Sequence, residues 1–199
     1  MNDALAVVFD LDGVLLNFER AWRECAEQVL RKQVRRISDK YPLLDRYGLS
    51  RHDCNRVWAE FHEDWWDRVP LYEHVPQILA ELEDMGAEVW AVTNVDVRHR
   101  DARTISLGGL IPFARIFCLG ENAPPQERRD MLRCIRAKAF VDDRIENLHA
   151  VTNEIPLAVH LNRGYLGMES PGDGITVIDD LRDFPEIVRG IQRGGGGAG

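Results

Sequence analysis

One short stretch near the amino terminus constrains the fold more than any other part of the chain. Residues 6–15 read AVVFDLDGVL, an apolar, β-branched run that passes into Asp10, Asp12 and then Gly13. A run of this length and composition predicts a strand buried on both faces, as in a parallel sheet. Ligands of open parallel sheets bind beyond the carboxyl ends of the strands. Two carboxylates at such a strand end therefore indicate a chemical function.

The composition limits the classes of partner. The 199-residue chain is long enough for one domain with a modest insertion, and its net charge is −8. That charge disfavours a general surface for nucleic acid or for an anionic membrane, although a local basic pocket can still hold one phosphorylated ligand. The apolar runs are too short to span a bilayer, and the first residues lack the pattern of a signal peptide. We therefore expect a cytoplasmic protein without nucleic-acid or membrane partners.

The rest of the chain alternates strand-like and helix-like segments. Apolar, β-rich runs predict further strands at 88–93, 115–119, 139–141 and 157–161. Helical spacing of apolar residues predicts helices at 75–85, 97–107 and 126–135. This alternation predicts one α/β domain with a doubly wound, mainly parallel sheet, formed by residues 1–16 and 72–193.

One region breaks the alternation. Residues 17–71 contain two amphipathic helix patterns, 18–37 and 51–68, joined by a turn-rich stretch at 41–48. Because this region follows the aspartate turn directly, we expect it to form a small helical cap over the strand ends. Residues 194–199 are almost all glycine, and we expect a disordered tail there.

Polar residues follow three of the predicted strands. They are Asp10 and Asp12, Thr93 and Asn94, and Asp142 and Asp143. If these strands are neighbours, four carboxylates meet in a small volume, where like charges repel or raise one another's pKa. A divalent cation resolves this conflict, and ligation by oxygen alone favours Mg²⁺.

The order and spacing of these motifs resemble those of the haloacid dehalogenase superfamily of hydrolases. Residues 9–15, FDLDGVL, are similar to its first motif, residues 92–94, VTN, to its second, and residues 140–144, FVDDR, to its fourth. The resemblance covers nearly the whole chain. It implies a Rossmann-like core and a Mg²⁺-dependent phosphatase that acts on a small phosphorylated metabolite through an aspartyl-phosphate.

The resemblance also implies a role for each motif residue. Asp10 would be the nucleophile, and Asp12 would protonate the leaving oxygen and then activate water. The residues that bind the phosphoryl group would be Leu11, Asp12, Gly13, Thr93 and Asn94. The metal would be held by Asp10, the Asp12 carbonyl and Asp143, with support from Asp142. A carboxyl at position 12 argues against dehalogenation, since a halide leaves without an acid.

The third motif of the family, a lysine that pairs with the nucleophile and the phosphate, does not map cleanly. Lys138 lies only four residues before Asp142, whereas Arg128 and Arg129 lie at the expected helix start. Arginine keeps the charge and can bind phosphate through two nitrogens. We prefer Arg128 or Arg129 to Lys138 for this role, and all three stay candidates.

Other notable residues favour structural roles. An aromatic stripe in the second cap helix consists of Trp58, Phe61, Trp65 and Trp66. Its spacing favours packing inside the cap, and stacking on an aromatic substrate is the alternative. A basic run after the second motif consists of Arg98, His99, Arg100 and Arg103. We expect a solvated helix face there, with a substrate contact from Arg98 or Arg100 as the alternative.

Two alternatives to a phosphatase remain at this stage. A phosphomutase uses the same covalent chemistry but returns the phosphoryl group to the substrate, and a non-catalytic binding protein could use the same scaffold. The four cysteines and six histidines show no ligand spacing, so we expect reduced thiols and no metal site built from these residues. The sequence leaves the substrate and the oligomeric state open.

Overall fold

Six parallel strands form the centre of the computed structural model, which describes residues 4–194. The strands are β1 (Leu5–Phe9), β2 (Ala87–Thr93), β3 (Ile116–Cys118), β4 (Ala139–Asp142), β5 (Leu157–Leu161) and β6 (Ile175–Ile178). Their order across the sheet is β3-β2-β1-β4-β5-β6. The order changes direction between β1 and β4, so the crevice beyond these two strands is the expected ligand position. The predicted α/β class with a parallel sheet is confirmed.

Eight α-helices accompany the strands in the described part of the chain. They are α1 (Phe18–Leu30), α2 (Leu43–Tyr47), α3 (Arg51–Asp64), α4 (Val75–Asp84), α5 (Arg100–Ser106), α6 (Pro125–Ile135), α7 (Ile145–His149) and α8 (Phe184–Gly194). A short 3₁₀ turn, Trp66–Arg68, follows α3. Among residues 4–194, none of these helices combines the length and the hydropathy that crossing a bilayer requires.

Successive residues of β1 supply both faces of the core. Val7 and Phe9 belong to one apolar cluster, and Phe9 packs edge-to-face on Phe184 of α8 with ring centroids 5.4 Å apart. Val8 belongs to a second cluster on the other face, together with Leu132 of α6. This alternation follows from the two-residue period of a strand. Helices therefore cover both faces of β1, which leaves the carboxyl end of the strand for ligands.

The helical insertion, residues 17–71, lies between β1 and α4 and contains α1, α2 and α3. Trp22 of α1 and Phe61 of α3 are fully buried and belong to the same apolar cluster as Val7 and Phe9 of β1. The predicted packing of the aromatic stripe is confirmed for Phe61, Trp65 and Trp66, which are all buried. Trp58 is half-buried and packs between neighbouring rings.

The structure departs from the predicted elements at several places. The helix predicted at 18–37 ends at Leu30, because Arg31 adopts a left-handed conformation with φ of 50°. The stretch predicted as turns at 41–48 contains α2, and β6 was not predicted. Gly194, which the sequence assigned to a disordered tail, is the last residue of α8. The rest of that predicted tail lies outside the described residues.

Candidate active site

The turn after β1 brings the first motif to the carboxyl edge of the sheet. Gly13 has φ of 82°, and a Cβ atom there would lie 2.1 Å from Oδ2 of Asp143. Only glycine therefore fits between the turn and the loop after β4. The N–H groups of Leu11 and Asp12 donate to no acceptor within residues 4–194. Such unpaired backbone donors at a tight turn are suited to an anion.

Three buried aspartates meet at this edge. Asp10, Asp142 and Asp143 each offer a carboxylate oxygen, and these oxygens lie within 4.8 Å of one another. Asp142 is held in place from two sides: the backbone N–H of Arg144 donates to its Oδ1 at 2.8 Å, and Nδ2 of Asn147 donates to its Oδ2 at 2.9 Å. The adjacent ends of β1 and β4 therefore converge on one small acidic volume.

The electrostatics of the three aspartates favour a bound cation. Burial raises the pKa of Asp10 well above its usual value, and the neighbouring Asp142 raises it further. Burial and Asp142 together raise the pKa of Asp143 to about 8. Carboxyl groups so disposed hold protons near neutral pH unless a cation compensates them. The donor set consists of carboxylate oxygens, which are the ligands that hard divalent cations prefer. These residues thus fit a metal ion.

A buried arginine completes the cluster. Nη1 of Arg128, in α6, lies 3.3 Å from Oδ1 of Asp10 and 3.2 Å from Oδ2 of Asp142. The same nitrogen donates to the carbonyl of Val92 at 2.9 Å, and Nη2 donates to Oδ1 of Asn94 at 2.8 Å. Arg128 is only 2% exposed, so its charge acts in a poorly solvated setting. It lowers the pKa of Asp10 against the effect of burial.

The structure separates the three candidates for the third motif. Arg129 is partly exposed and pairs with its neighbour Asp130 at 3.1 Å. Lys138 immediately precedes β4, and its N–H donates to the carbonyl of Ala6 near the start of β1. Four residues of a strand span about 13 Å, so Lys138 lies at the amino-terminal end of β4, whereas Asp142 lies at its carboxyl end. Only Arg128 of the three candidates contacts Asp10.

Asp12 faces a different partner. Its Oδ1 pairs with Nη2 of Arg103, which lies in α5. Burial raises the pKa of Asp12, and Arg103 acts in the opposite direction. Its carboxylate does not belong to the group of Asp10, Asp142 and Asp143 that could hold a metal ion. The structure thus brings together three of the four expected carboxylates and places the fourth beside an arginine.

The expectation of a solvated face for the basic run is wrong for Arg103. The side chain is fully buried, its Nη1 donates to the carbonyl of Trp66 at 3.3 Å, and its guanidinium lies 5.2 Å from the centre of the Trp66 ring. A sequence signal exists, since Arg103 precedes the fully buried Leu107 by four residues and therefore shares its helix face.

A cavity of about 670 Å³ opens above these groups, between the sheet edge and the helical insertion. Its floor includes Asp10, Asp12, Thr93 and Asn94. The aromatic residues that line it are Phe18, Tyr41, Trp58, His62, Trp66, Tyr72 and Tyr165. The faces of Trp58 are already covered, by Phe18 at 5.9 Å and His62 at 5.3 Å between ring centroids. The cavity is open to solvent on one side and lies directly next to Asp10 and Asp143.

Sequence reasoning also missed two residues from the loop after β5. Tyr165 lies beside Asp143, and its hydroxyl lowers the pKa of that carboxyl against the effect of burial. Nε of Arg163 donates to the carbonyl of Gly13 at 2.6 Å, which holds the turn after β1 against this loop. Neither residue belongs to a motif or to a predicted element. We find no signal in the sequence that would have indicated either contact.

Comparisons with known proteins agree with this geometry. The family model of haloacid dehalogenase-like hydrolases matches residues 5–150. A haloacid dehalogenase-like family hydrolase from Xanthomonas campestris shares the fold, with 16% identity, 98% of this chain and 99% of that chain covered, and a TM-score of 0.63. A predicted phosphoglycolate phosphatase from Haemophilus somnus also shares the fold. Its sequence identity is 18%, the match covers 94% of this chain and 99% of that chain, and the TM-score is 0.62. A dehalogenase shares the fold as well, with 15% identity, 94% of this chain and 98% of that chain covered, and a TM-score of 0.60.

These structural identities are low, and the solved structures therefore show a common fold only. No curated protein sequence matches the chain. The family model, in contrast, spans all three recognised motifs, from Leu5 in β1 to the end of the segment that follows the acidic pair Asp142 and Asp143. The chain belongs to the haloacid dehalogenase-like hydrolases.

Proposed function

We propose that the chain is a Mg²⁺-dependent phosphatase that hydrolyses a small phosphomonoester through a phosphoryl group on Asp10. The observation that carries this proposal is the position of the Asp10 carboxylate. It lies within a metal-capable group with Asp142 and Asp143, it pairs with Arg128, and it lines a cavity. A carboxylate is a weak nucleophile, so it requires positive charge around the phosphoryl oxygens, which Arg128 and a cation held by the aspartates would supply.

In the first step, one oxygen of Asp10 forms a bond to phosphorus while the bond from phosphorus to the leaving oxygen breaks. The proton of the Asp12 carboxyl goes to that leaving oxygen. In the second step, a water oxygen bonds to phosphorus, its proton goes to Asp12, and the bond between Asp10 and phosphorus breaks. Free phosphate results, and both aspartates return to their starting protonation states.

Other residues stabilise the phosphoryl group in both steps. The unpaired N–H groups of Leu11 and Asp12 and the hydroxyl of Thr93 are the proposed donors to its oxygens. Asp10 and Asp143 would hold Mg²⁺, with the Asp12 carbonyl as a third ligand and Asp142 in support. When bound, Mg²⁺ supplies charge that makes phosphorus electrophilic and compensates the clustered carboxylates.

The helical insertion limits the size of the substrate in this proposal. In this proposal, residues 17–71 act as a cap, and the catalytic core consists of the predicted segments 1–16 and 72–193, of which the structure describes 4–16 and 72–193. The cavity of about 670 Å³ suits a small metabolite rather than a macromolecule. A net charge of −8 is also unfavourable for nucleic acid. In this proposal, the cap also limits the access of bulk water while the phosphoryl group is transferred.

The carboxyl of Asp12 supports a phosphatase over a dehalogenase, although one structural neighbour is a dehalogenase. An alkoxide leaving group requires a proton, and a halide does not. The structure gives no observation that favours a phosphomutase. The reaction products distinguish a phosphatase from a phosphomutase, since a phosphatase releases free phosphate and a mutase yields an isomeric phosphate ester.

The experiment that tests the proposal is a screen of the purified protein against a library of phosphorylated metabolites with Mg²⁺. We expect phosphate release from at least one small ester, its loss with EDTA, its return with added Mg²⁺, and its loss in Asp10→Asn. A protein that releases no phosphate from any ester, or an Asp10→Asn variant with full activity, would contradict the proposal.

A further inference from the structure

One arginine connects the proposed acid to the helical insertion. Arg103 of α5 is fully buried, and its Nη2 contacts Oδ1 of Asp12. Its Nη1 donates to the carbonyl of Trp66, and Oγ of Ser106, also in α5, donates to the same carbonyl at 2.8 Å. Arg103 lies outside all the family motifs in the sequence. A fully buried guanidinium is costly unless its partners compensate it, so its position requires an explanation.

The contact leaves one oxygen of Asp12 unoccupied. Arg103 reaches only Oδ1, and no group among residues 4–194 donates a hydrogen bond to Oδ2. Asp12 lines the cavity, whereas Arg103 does not. A carboxyl group that is fixed through one oxygen presents the other in a defined direction. The arginine therefore sets the orientation of Asp12 without access to the substrate itself.

The anchor of Arg103 lies in the insertion. Trp66 begins the 3₁₀ turn after α3, and the Arg103 guanidinium stacks on its indole ring with 5.2 Å to the ring centre. Two donors from α5 thus bind one carbonyl of the insertion, and the guanidinium lies between this carbonyl and Asp12. An acid that must deliver a proton benefits from such fixed geometry, because small displacements lower the rate considerably.

We propose that Arg103 is a positioning residue that holds Asp12 with Oδ2 toward the leaving-group oxygen, while the Trp66 carbonyl fixes the guanidinium. The inference rests on the proposed phosphatase function. As Asp10 bonds to phosphorus, the bond to the leaving oxygen breaks and the proton moves from Oδ2 of Asp12 to that oxygen. The carboxylate that remains keeps its pairing with Arg103.

A comparison of leaving groups distinguishes positioning from a structural role. p-Nitrophenolate leaves without a proton because its charge is delocalised, whereas an alkoxide such as that of glycerol phosphate depends on the acid. The value of kcat/KM covers only the steps through the first irreversible one, so the later action of Asp12 on water does not enter. Loss of positioning must therefore affect the two esters differently.

The test measures kcat/KM of both esters for wild type, Arg103→Met, Arg103→Lys and the control Arg100→Met. Arg100 lies in the same helix, but its Nη2 donates to the carbonyl of Phe113 and the residue does not line the cavity. For Arg103→Met we expect a decrease of about 100-fold with glycerol phosphate and less than about 5-fold with p-nitrophenyl phosphate. We expect Arg103→Lys to be more active on glycerol phosphate than Arg103→Met. Arg100→Met should retain the wild-type kcat/KM with both esters. Equal decreases for the two esters, or no decrease, overturn the inference. Wild type without activity on any ester contradicts the phosphatase proposal instead.

A double-mutant cycle covers the case in which Arg103→Met does not fold. With phenyl phosphate, Arg103→Lys is measured alone and in the Asp12→Asn background. If the arginine acts through Asp12, Arg103→Lys lowers kcat/KM in the wild-type background. In the Asp12→Asn background, the same substitution causes no further decrease in kcat/KM. Additive effects of the two substitutions show that Arg103 acts independently of Asp12 and overturn the inference.

Discussion

Nη1 of Arg128 lies 3.3 Å from Oδ1 of Asp10, although 118 residues separate them in the sequence. The contact joins the helix after β3 to the end of β1 at the point where the three buried aspartates meet. It gives the proposed nucleophile a cation from the protein itself. Arg128 is therefore our proposed counterpart of the lysine in the family's third motif.

We expect Arg128→Met to lower kcat/KM about 100-fold or more, because it removes charge next to the reacting oxygens. Arg128→Lys keeps the charge but loses the second donor, so we expect an intermediate decrease. Arg129→Met is the matched comparison, since this neighbour contacts Asp130 rather than Asp10. Steady-state kinetics with p-nitrophenyl phosphate measures all three. A larger loss in Arg129→Met than in Arg128→Met would contradict the assignment.

We expect Gly13→Ala to lose activity and Mg²⁺ affinity. The new Cβ would lie 2.1 Å from Oδ2 of Asp143, so either the turn or the carboxylate must move. Gly86→Ala is the control, because Gly86 also has a positive φ, of 78°, but has no atom within 4 Å of the added Cβ. Both substitutions cost about 1–2 kcal/mol of backbone strain. Thermal unfolding measures the loss of stability from backbone strain, which both variants share. Calorimetric titration with Mg²⁺ measures the loss of affinity from the clash with Asp143, which we expect only in Gly13→Ala.

We expect Thr93→Val to lower kcat about 10- to 100-fold, because a methyl group replaces the proposed donor to the phosphoryl group at almost unchanged volume. Thr93→Ser retains the hydroxyl and should stay within about 5-fold of wild type. Kinetics of both variants at saturating Mg²⁺ provides the comparison. Equal activities for the valine and serine variants would show that the hydroxyl takes no part.

The pKa of Asp143 predicts how stability varies with pH. Because the folded state raises that pKa to about 8, it retains a proton that the unfolded chain has released. Metal-free protein should therefore lose stability as pH rises from about 7 to about 8, by up to about 1 kcal/mol per pH unit. Mg²⁺ displaces this proton and should stabilise the protein more at the higher pH. Thermal unfolding in EDTA, with Asp143→Asn as the control, measures the trend. A midpoint that rises with pH in EDTA would contradict it.

The sequence predicted much of the fold because β5 is fully buried, while β1, β2 and β4 end in distinctive motifs. β5 was predicted with its observed bounds, and β2 within one residue. β6 was missed because it is a short, partly exposed edge strand of four residues. α1 was predicted too long because its amphipathic spacing continues past Leu30, while the left-handed backbone of Arg31 ends the helix.

The motifs indicated the aspartates, but the arginines required the packing of helices. Arg128 precedes the fully buried Leu132 by four residues, and Arg103 has the same relation to Leu107. Each arginine therefore lies on the buried face of its helix. Arg129 precedes Arg133 by four residues, on the exposed face. Helical spacing thus contained a signal that favours Arg128 over Arg129, whereas the contact of Arg103 with Trp66 depends on tertiary structure alone.

The most direct test of the account is to locate the phosphoryl group on the protein during turnover. Protein is mixed with a hydrolysed ester and Mg²⁺, quenched in acid, digested and analysed by mass spectrometry. The account predicts an acid-stable, hydroxylamine-labile phosphoryl group on the peptide that contains Asp10. Release of phosphate with no modified peptide, or a phosphoryl group on another residue, would contradict it.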